Sequence, residues 1–167
     1  DEPLAGLNPE ETGQLVALIA DLHASTPITF VLVEHKIRAL SRLSDIADIV
    51  VLTNIGEQHH QPRIAQLASH GVHVPVFWNR GGKGPQLTDI VAARNPSVTL
   101  FIDDIAHNLE SVADCAPDVW RLHFVGEPEV AGHVTPCERA HARIDDWATA
   151  ERWIAERLAQ GPAPVLS

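Results

Sequence analysis

Several features are scarce or missing in this chain of 167 residues, and each absence excludes a class of protein. Lys and Arg number only 12 against 22 Asp and Glu, which leaves a formal net charge of -10. A nucleic-acid backbone or an anionic membrane surface is a poor main partner for such a chain, because both require clustered cations. No apolar run approaches the roughly 20 residues that span a bilayer, and the amino terminus lacks a basic-then-apolar signal pattern. These absences predict a cytoplasmic protein with no nucleic-acid and no membrane partner.

Sulfur-containing residues are equally scarce. The chain has two cysteines, Cys115 and Cys137, without CxxC spacing, and Cys115 falls on the predicted buried face of a helix. A reduced cytosolic protein is therefore favoured over one with a structural disulfide. The histidines and cysteines also lack the spacing of a zinc site. Met is absent even from position 1, so we expect that Asp1 is not the gene's own start and that residues precede it.

What the chain does contain is a regular alternation of apolar runs and helical patterns. Strands are predicted at 28–33, 48–52, 72–78, 98–102 and 119–125, and helices at 8–23, 37–43, 62–69, from 87, 106–116 and 147–158. Strands and helices at this spacing predict an α/β fold, with a three-layer, mostly parallel, Rossmann-like sheet and helices on both faces. The length suits a single domain over residues 1–160, with irregular chain at 126–145 and a loose tail at 161–167.

Polar residues follow three of the apolar runs at the point where each run ends. Asp103 and Asp104 follow one run directly, Thr53 and Asn54 follow another, and Lys83 lies in a glycine-rich loop after a third. Two carboxylates cannot sit in a dry sheet interior without a large cost, so we expect them at the rim where the strand ends meet. A hydroxyl, an amide and an ammonium suit a phosphate group, and two carboxylates suit Mg²⁺. The pattern thus predicts phosphate binding by Thr53, Asn54 and Lys83, with Asp103 and Asp104 as magnesium ligands.

Each of these residues also has a purely structural explanation. The two aspartates are typical of a helix start, Thr53 and Asn54 of a turn, and Lys83 of an exposed flexible loop. The order of the residues along the chain favours the ligand site over this structural alternative.

That order resembles the haloacid dehalogenase superfamily. VVLTN at 50–54 is similar to its second motif, GGKG around Lys83 to its third, and FIDDIAHNLESV at 101–112 to its fourth, in the DDxxxN form. The resemblance covers roughly residues 28–125 and implies a sheet of the dehalogenase type. It also implies catalytic roles for Thr53, which would bind the transferred phosphoryl group, and for Lys83, which would neutralise it. Asp103 and Asp104 would then hold Mg²⁺, and Asn108 would brace the acidic loop from the next helix.

One part of the family pattern is missing. Its first motif, a strand ending in DxD, does not occur before Thr53, and Glu34 and Lys36 stand where the two aspartates are expected. Either a nucleophile strand precedes Asp1, or the fold carries no covalent chemistry, and the first explanation is favoured. Residues 7–26 would then belong to a small helical cap insert, and the run at 28–33 would merely lead into the next helix.

The resemblance implies a Mg²⁺-dependent phosphatase that acts on a small phosphate ester through an aspartyl-phosphate intermediate. The alternative is a catalytically inactive relative that serves as a binding or regulatory module. A phosphoacceptor receiver domain is disfavoured because it carries its acid pair on the first strand and its Lys on the last. The expected partner is a small phosphorylated substrate, and two tryptophans on the closing helix are compatible with a homodimer.

Overall fold

The computed structural model describes residues 28–32 and 43–166. The predicted helix at 8–23, most of that at 37–43, the proposed cap insert at 7–26, and both Glu34 and Lys36 lie outside these ranges. Within the described ranges no helix is long and apolar enough to cross a bilayer.

Six parallel strands within the described ranges form one sheet in the order β3-β2-β1-β4-β5-β6. The strands are β1 (Ile28–Leu32), β2 (Asp48–Asn54), β3 (Val76–Asn79), β4 (Val98–Asp103), β5 (Trp120–Phe124) and β6 (Ala142–Ile144). The helices are α1 (His60–Ser69), α2 (Gly84–Arg94), α3 (Ala106–Cys115), α4 (Pro128–Ala131) and α5 (Trp147–Gln160), and a single 3₁₀ turn, Glu57–His59, precedes α1. This arrangement confirms the predicted fold class, a parallel α/β sheet with helices on both faces.

Strand β1 lies in the middle of the sheet, between β2 and β4. Its residues pair in parallel with both neighbours, as in Phe30 with Ile49 on one side and with Leu100 on the other. The interpretation of residues 28–33 as a mere approach to a helix is therefore wrong. A run of β-branched and aromatic residues suits a strand with a partner on each side.

Alternation along the strands divides the core into two clusters, one on each face. Ile49 and Leu100 pack with Ile154 of α5 on one face, whereas Val50 and Phe101 belong to the cluster on the other face. The second cluster also includes Leu87 of α2 and Leu109 of α3. We call this second side the α2/α3 face. Because side chains alternate along a strand, Asn54 and Asp103 project to this face and Thr53 to the opposite one.

The segment at 126–145, predicted to be irregular, contains the single-turn helix α4 and the edge strand β6. Arg143 of β6 donates to the carbonyl oxygens of Ala131 (3.0 Å) and Val134 (3.3 Å), which holds the intervening loop against the sheet. The strand was missed because it has only three residues, all half-buried and without an apolar run. Strand β3, predicted from residue 72, begins only after Pro75 and lies at the opposite edge of the sheet, where a proline is tolerated.

The two cysteines are both free thiols. The prediction that Cys115 is buried is wrong, since this last residue of α3 is exposed and Cys137 is the buried one. The face of α3 that packs against the sheet carries Leu109, Val112 and Ala113, and Cys115 lies outside it.

The tail at 161–166, expected to be loose, contacts β5 and its neighbours. The Trp120 indole N–H donates to the Gly161 carbonyl oxygen at 2.7 Å, and the Ala163 amide donates to the Asp118 carbonyl oxygen at 2.9 Å. His141 joins the tail to the sheet, because its Nδ1 accepts from the Arg121 amide and its Nε2 donates to the Pro164 carbonyl oxygen. These three contacts fix the position of the chain after α5.

Helices α2 and α3 approach closely at Gly84, the first residue of α2. A Cβ atom at this position would overlap the Ser111 carbonyl oxygen and lie 2.8 Å from the Cys115 Sγ atom. We expect Gly84→Ala to lower the free energy of unfolding by about 1–3 kcal/mol, because backbone atoms of α3 must move. Urea denaturation measures the change. Gly132→Ala is the matched control, since its Cβ meets nothing within 4 Å, and an equal effect of both substitutions would contradict the prediction.

Burial lowers the pKa of His141 below its ordinary value, although the hydrogen bond to Pro164 acts in the other direction. At pH values between the lowered and the ordinary pKa, the unfolded chain therefore binds a proton that the folded protein does not. We expect the unfolding temperature to fall as the pH decreases from 7 through 6, and the pH dependence to be weaker in His141→Phe. Thermal unfolding followed by circular dichroism at several pH values tests this, and parallel curves for the two proteins would refute it.

Candidate functional site

A row of polar side chains crosses the sheet on its α2/α3 face, where the strands end. Asn79 and Asn54 are register partners at the ends of β3 and β2, and Asp103 and His123 are register partners in β4 and β5. The strand order reverses between β1 and β4, and in open α/β sheets ligands bind in the crevice at such a reversal. We call this edge of the sheet the rim.

A buried ion pair joins the loop before α2 to the end of β4. The Lys83 Nζ atom lies 2.9 Å from the Asp103 Oδ2 atom, and the two side chains are 2% and 0% exposed. Lys83 occupies the cap position of α2, directly after the glycine loop, so the turn into the helix directs it toward β4. Among the described residues its ammonium uses one of its three donors, on Asp103.

Asp103 is surrounded by hydrogen-bond donors. Its Oδ1 accepts from the Ile105 amide (2.8 Å) and its Oδ2 from Lys83, while the Asn108 side-chain amide lies 3.1 Å from both oxygens. Burial raises the pKa of the Asp103 carboxyl, and Lys83, the Ile105 amide and Asn108 act against that rise. The sheet thus holds a carboxylate whose oxygens are already occupied.

Asp104, the next residue, has the opposite environment. Its side chain is exposed, and its carboxylate has no hydrogen-bond or ion-pair partner in the described part of the chain. Its carbonyl oxygen lies 3.0 Å from the Nε2 atom of the buried His123, whose Nδ1 accepts from the Cys137 amide at 2.9 Å. His123 is therefore neutral with its proton on Nε2, in agreement with a pKa that burial lowers. This histidine fixes the backbone that presents the Asp104 carboxylate to solvent.

The glycine loop between β3 and α2 is held by two asparagines. Asn79 Nδ2 donates to Asn54 Oδ1 (2.7 Å) and to the carbonyl oxygens of Gly81 (3.0 Å) and Gly82 (3.4 Å). Asn54 Nδ2 donates to the same Gly81 carbonyl oxygen at 3.0 Å. Gly81 has a φ of 84°, which a residue with a side chain rarely adopts. The loop that carries Lys83 is therefore anchored to two strand ends.

The structure does not bring all the predicted site residues together. Lys83, Asp103 and Asn108 contact one another, and Asn54 reaches the loop of Lys83 through Gly81. Thr53 is buried and projects to the opposite face, and none of the described side-chain contacts joins it to Lys83. Its proposed part in phosphate binding and catalysis therefore has no support from the side-chain geometry.

The two predicted magnesium ligands, Asp103 and Asp104, differ in how available their carboxylates are to a metal ion. The described residues contain no group of three or more His, Cys, Asp or Glu side chains that could hold a metal ion. Magnesium is nevertheless often held by one or two carboxylates together with the phosphates of a ligand. Asp104 fits that role, and Asp103 would first have to lose a hydrogen bond. The buried Asn108 Oδ1 atom, which lacks a partner among the described residues, is a further acceptor beside Asp103.

Two residues of the rim were missed from the sequence. Asn79 ends a strand just before the glycine loop, and His123 interrupts an apolar strand at the register position of Asp103. Asn79 could have been identified from the sequence, because it is a polar residue at the end of an apolar run. His123 could not have been identified in this way, because its position beside Asp103 depends on strand pairing, which is not visible in the sequence.

Comparison with known proteins gives short matches. BraF of Pseudomonas aeruginosa, named as a high-affinity branched-chain amino acid transport ATP-binding protein, is 49% identical over 45 residues, which is 27% of this chain and 18% of BraF. LivG of Escherichia coli, with the same descriptive name, is 47% identical over 45 residues, again 27% of the chain and 18% of the relative. MetN of Carboxydothermus hydrogenoformans, a methionine import ATP-binding protein, is 36% identical over 79 residues, 47% of the chain and 20% of MetN.

The chain thus spans about a fifth of the length of the curated relatives it matches. No protein-family model matches it, and no solved structure matches it.

These matches correct the family assignment made from the motifs. The assignment to the haloacid dehalogenase superfamily is wrong, because the matched proteins are ATP-binding proteins of transport systems. Both functions drawn from that assignment, the phosphatase and the catalytically inactive binding or regulatory module, are wrong for the same reason. The motifs misled because acids, Lys and Thr at strand ends are what many ligand sites on parallel sheets require. The expected partners, a small phosphorylated substrate and no membrane, are overturned by the same matches.

Removing the cation of the buried pair tests how strongly the rim depends on it. We expect Lys83→Met to lower the free energy of unfolding by about 3 kcal/mol, because Asp103 is left as an uncompensated buried charge. In the double variant Lys83→Met with Asp103→Asn, part of this loss should be recovered, since no buried charge remains. Urea denaturation of the wild type, both single variants and the double variant gives the coupling, and strictly additive effects would contradict it.

Proposed function

We propose that this chain binds ATP as part of a transport system and that the rim on the α2/α3 face contacts the phosphate groups. The names of the relatives supply the ligand class, since BraF, LivG and MetN are all described as ATP-binding proteins of transport or import. A cytoplasmic location stays a prediction.

The observation that carries the proposal is the state of the Lys83 ammonium. It is buried at the ends of the strands, and its described partner, Asp103, occupies one of three donors. A buried ammonium attracts an anion strongly, because little water competes for it. A phosphate oxygen at the rim would use the remaining donors without breaking the ion pair.

The backbone around Lys83 supports the same ligand. Strand β3 leads through Gly81 and Gly82 directly into the amino terminus of α2, where peptide N–H groups and the helix dipole favour negative charge. The P-loop pattern GxxxxGK[ST] does not occur in the printed sequence, and Lys83 is followed by Gly84. The proposed phosphate contacts therefore depend on this glycine loop, with Asn54 beside it.

Magnesium would enter with the nucleotide. Asp104 supplies an exposed carboxylate with no partner in the described part of the chain, and Asp103 and Asn108 lie behind it as supporting residues. When bound, the ion would neutralise phosphate charge that Lys83 alone cannot balance. This assigns Asp104 as the ligand from the chain and leaves the Asp103 carboxylate in its internal hydrogen bonds.

Calorimetric titration with ATP, in the presence and absence of Mg²⁺, tests the proposal. We expect wild-type protein to bind ATP more tightly with Mg²⁺ than without it. In Asp104→Asn this gain should be lost, with an affinity roughly tenfold weaker in the presence of Mg²⁺. Binding without Mg²⁺ should be unchanged or slightly tighter in that variant, since a like charge has been removed from the rim.

Glu110→Gln is the matched control, because it removes one exposed carboxylate from α3 with the same acid-to-amide change. Wild-type affinity and an intact Mg²⁺ effect are expected for it. Absence of ATP binding by the wild type, or equal behaviour of the two variants, would refute the proposed site.

A further inference from the structure

The glycine loop before Lys83 contains backbone donors that no described residue satisfies. The amide N–H groups of Gly82 and Lys83 have no acceptor within the described ranges, although the carbonyl oxygens of Gly81 and Gly82 are both hydrogen bonded. In a trans peptide the C=O and N–H groups point in opposite directions. The peptide that joins Gly81 to Gly82, and the one that joins Gly82 to Lys83, therefore turn their carbonyls inward and their N–H groups away from Asn79.

The inward carbonyls are held there chiefly by one side chain. Asn79 is 8% exposed, and its Nδ2 reaches both carbonyl oxygens and the Asn54 Oδ1 atom. Asn54 adds a single bond to the Gly81 carbonyl oxygen. Without these donors each peptide could rotate, and rotation by half a turn would direct a carbonyl oxygen to where an N–H group had been. An oxygen in that place would repel an anion.

We propose that Asn79 is a positioning residue that sets the direction of the Gly82 and Lys83 amide N–H groups for binding to phosphate oxygens. The inference rests on the proposed function for the identity of the ligand, while the direction of the peptides follows from the hydrogen bonds alone. Two adjacent backbone N–H groups that precede a helix, together with a nearby buried ammonium, are donors suited to an oxyanion. Asn79 acts through the loop and does not touch the ligand.

The side-chain donors can be removed without adding charge. We expect Asn79→Leu to weaken the binding of ATP and of inorganic triphosphate by about tenfold, because the loop loses its fixed direction. Proton–nitrogen correlation spectra supply a readout that a purely structural role would not change. Triphosphate should shift the Gly82 and Lys83 amide signals in the wild type and leave them almost unmoved in Asn79→Leu, while the unfolding temperature verifies that the variant is folded.

A second pair of variants, matched in charge, tests the role of Asn79 even if the leucine variant misfolds. Asn54→Asp and Asn79→Asp add the same formal charge at adjacent register partners, the first at an exposed position and the second at a buried one. Asn54→Asp removes one donor bond to the loop, whereas Asn79→Asp removes both carbonyl contacts of Asn79 and its bond to Asn54. We expect the Asn79 variant to lose several-fold more affinity than the Asn54 variant.

The outcomes separate this inference from the proposed function. The role of Asn79 alone would be overturned if the wild type binds both ligands and Asn79→Leu binds them with the same affinity. Equal losses of affinity in the two Asp variants would also overturn it. Binding of triphosphate but not ATP would support the loop as an oxyanion site and overturn the nucleotide assignment. If the wild type binds neither ligand, both proposals fall.

Discussion

The rim is organised by the burial of two opposite charges, Lys83 and Asp103. Removing a charge from water is costly, and the ion pair offsets that cost only when the remaining donors and acceptors are also satisfied. Asp103 achieves this with the Ile105 amide and the Asn108 side chain, which fixes the first turn of α3 directly after β4. Lys83 reaches the Asp103 carboxylate because Gly84 has no side chain and lets α2 begin against α3. The starts of both helices thus depend on one pair of charges.

The same constraint assigns different roles to two adjacent acids. Asp103 is occupied by donors from inside the protein, whereas the Asp104 side chain is exposed, has no partner among residues 28–32 and 43–166, and has its backbone held by His123. Lys83 thus has an internal partner in Asp103, and the next residue along the chain is an exposed acid.

Local patterns in the sequence were sufficient for much of this architecture. The apolar runs marked five of the six described strands, although the family resemblance led to the dismissal of the first, and the acid pair was correctly placed at the end of β4. Properties that depend on pairing between distant segments could not be predicted. The position of β1 between β2 and β4, the register that brings His123 beside Asp103, and the opposite directions of Thr53 and Asn54 all belong to this class. Each requires the order and phase of the strands as well as their composition.

The family assignment failed for a related reason. A few residues at strand ends describe the chemistry of a rim and leave open which lineage built it, so an ordered set of Thr, Lys and Asp residues can arise on unrelated α/β proteins. The small and half-buried β6 shows the complementary limit, since its formation depends on contacts made by Arg143 with the preceding loop. Neither feature leaves a pattern of apolar residues that could be recognised beforehand.

The central place of β1 has a consequence for how the chain reaches this structure. Strands β2 and β4 do not pair with each other, so β3-β2 and β4-β5-β6 become one sheet only through β1. Until β1 is inserted, two strands in the interior of the future sheet expose unpaired backbone edges, and such edges pair readily with other chains. Pairing of β1 with both neighbours covers these two edges and so removes them from contact with other chains.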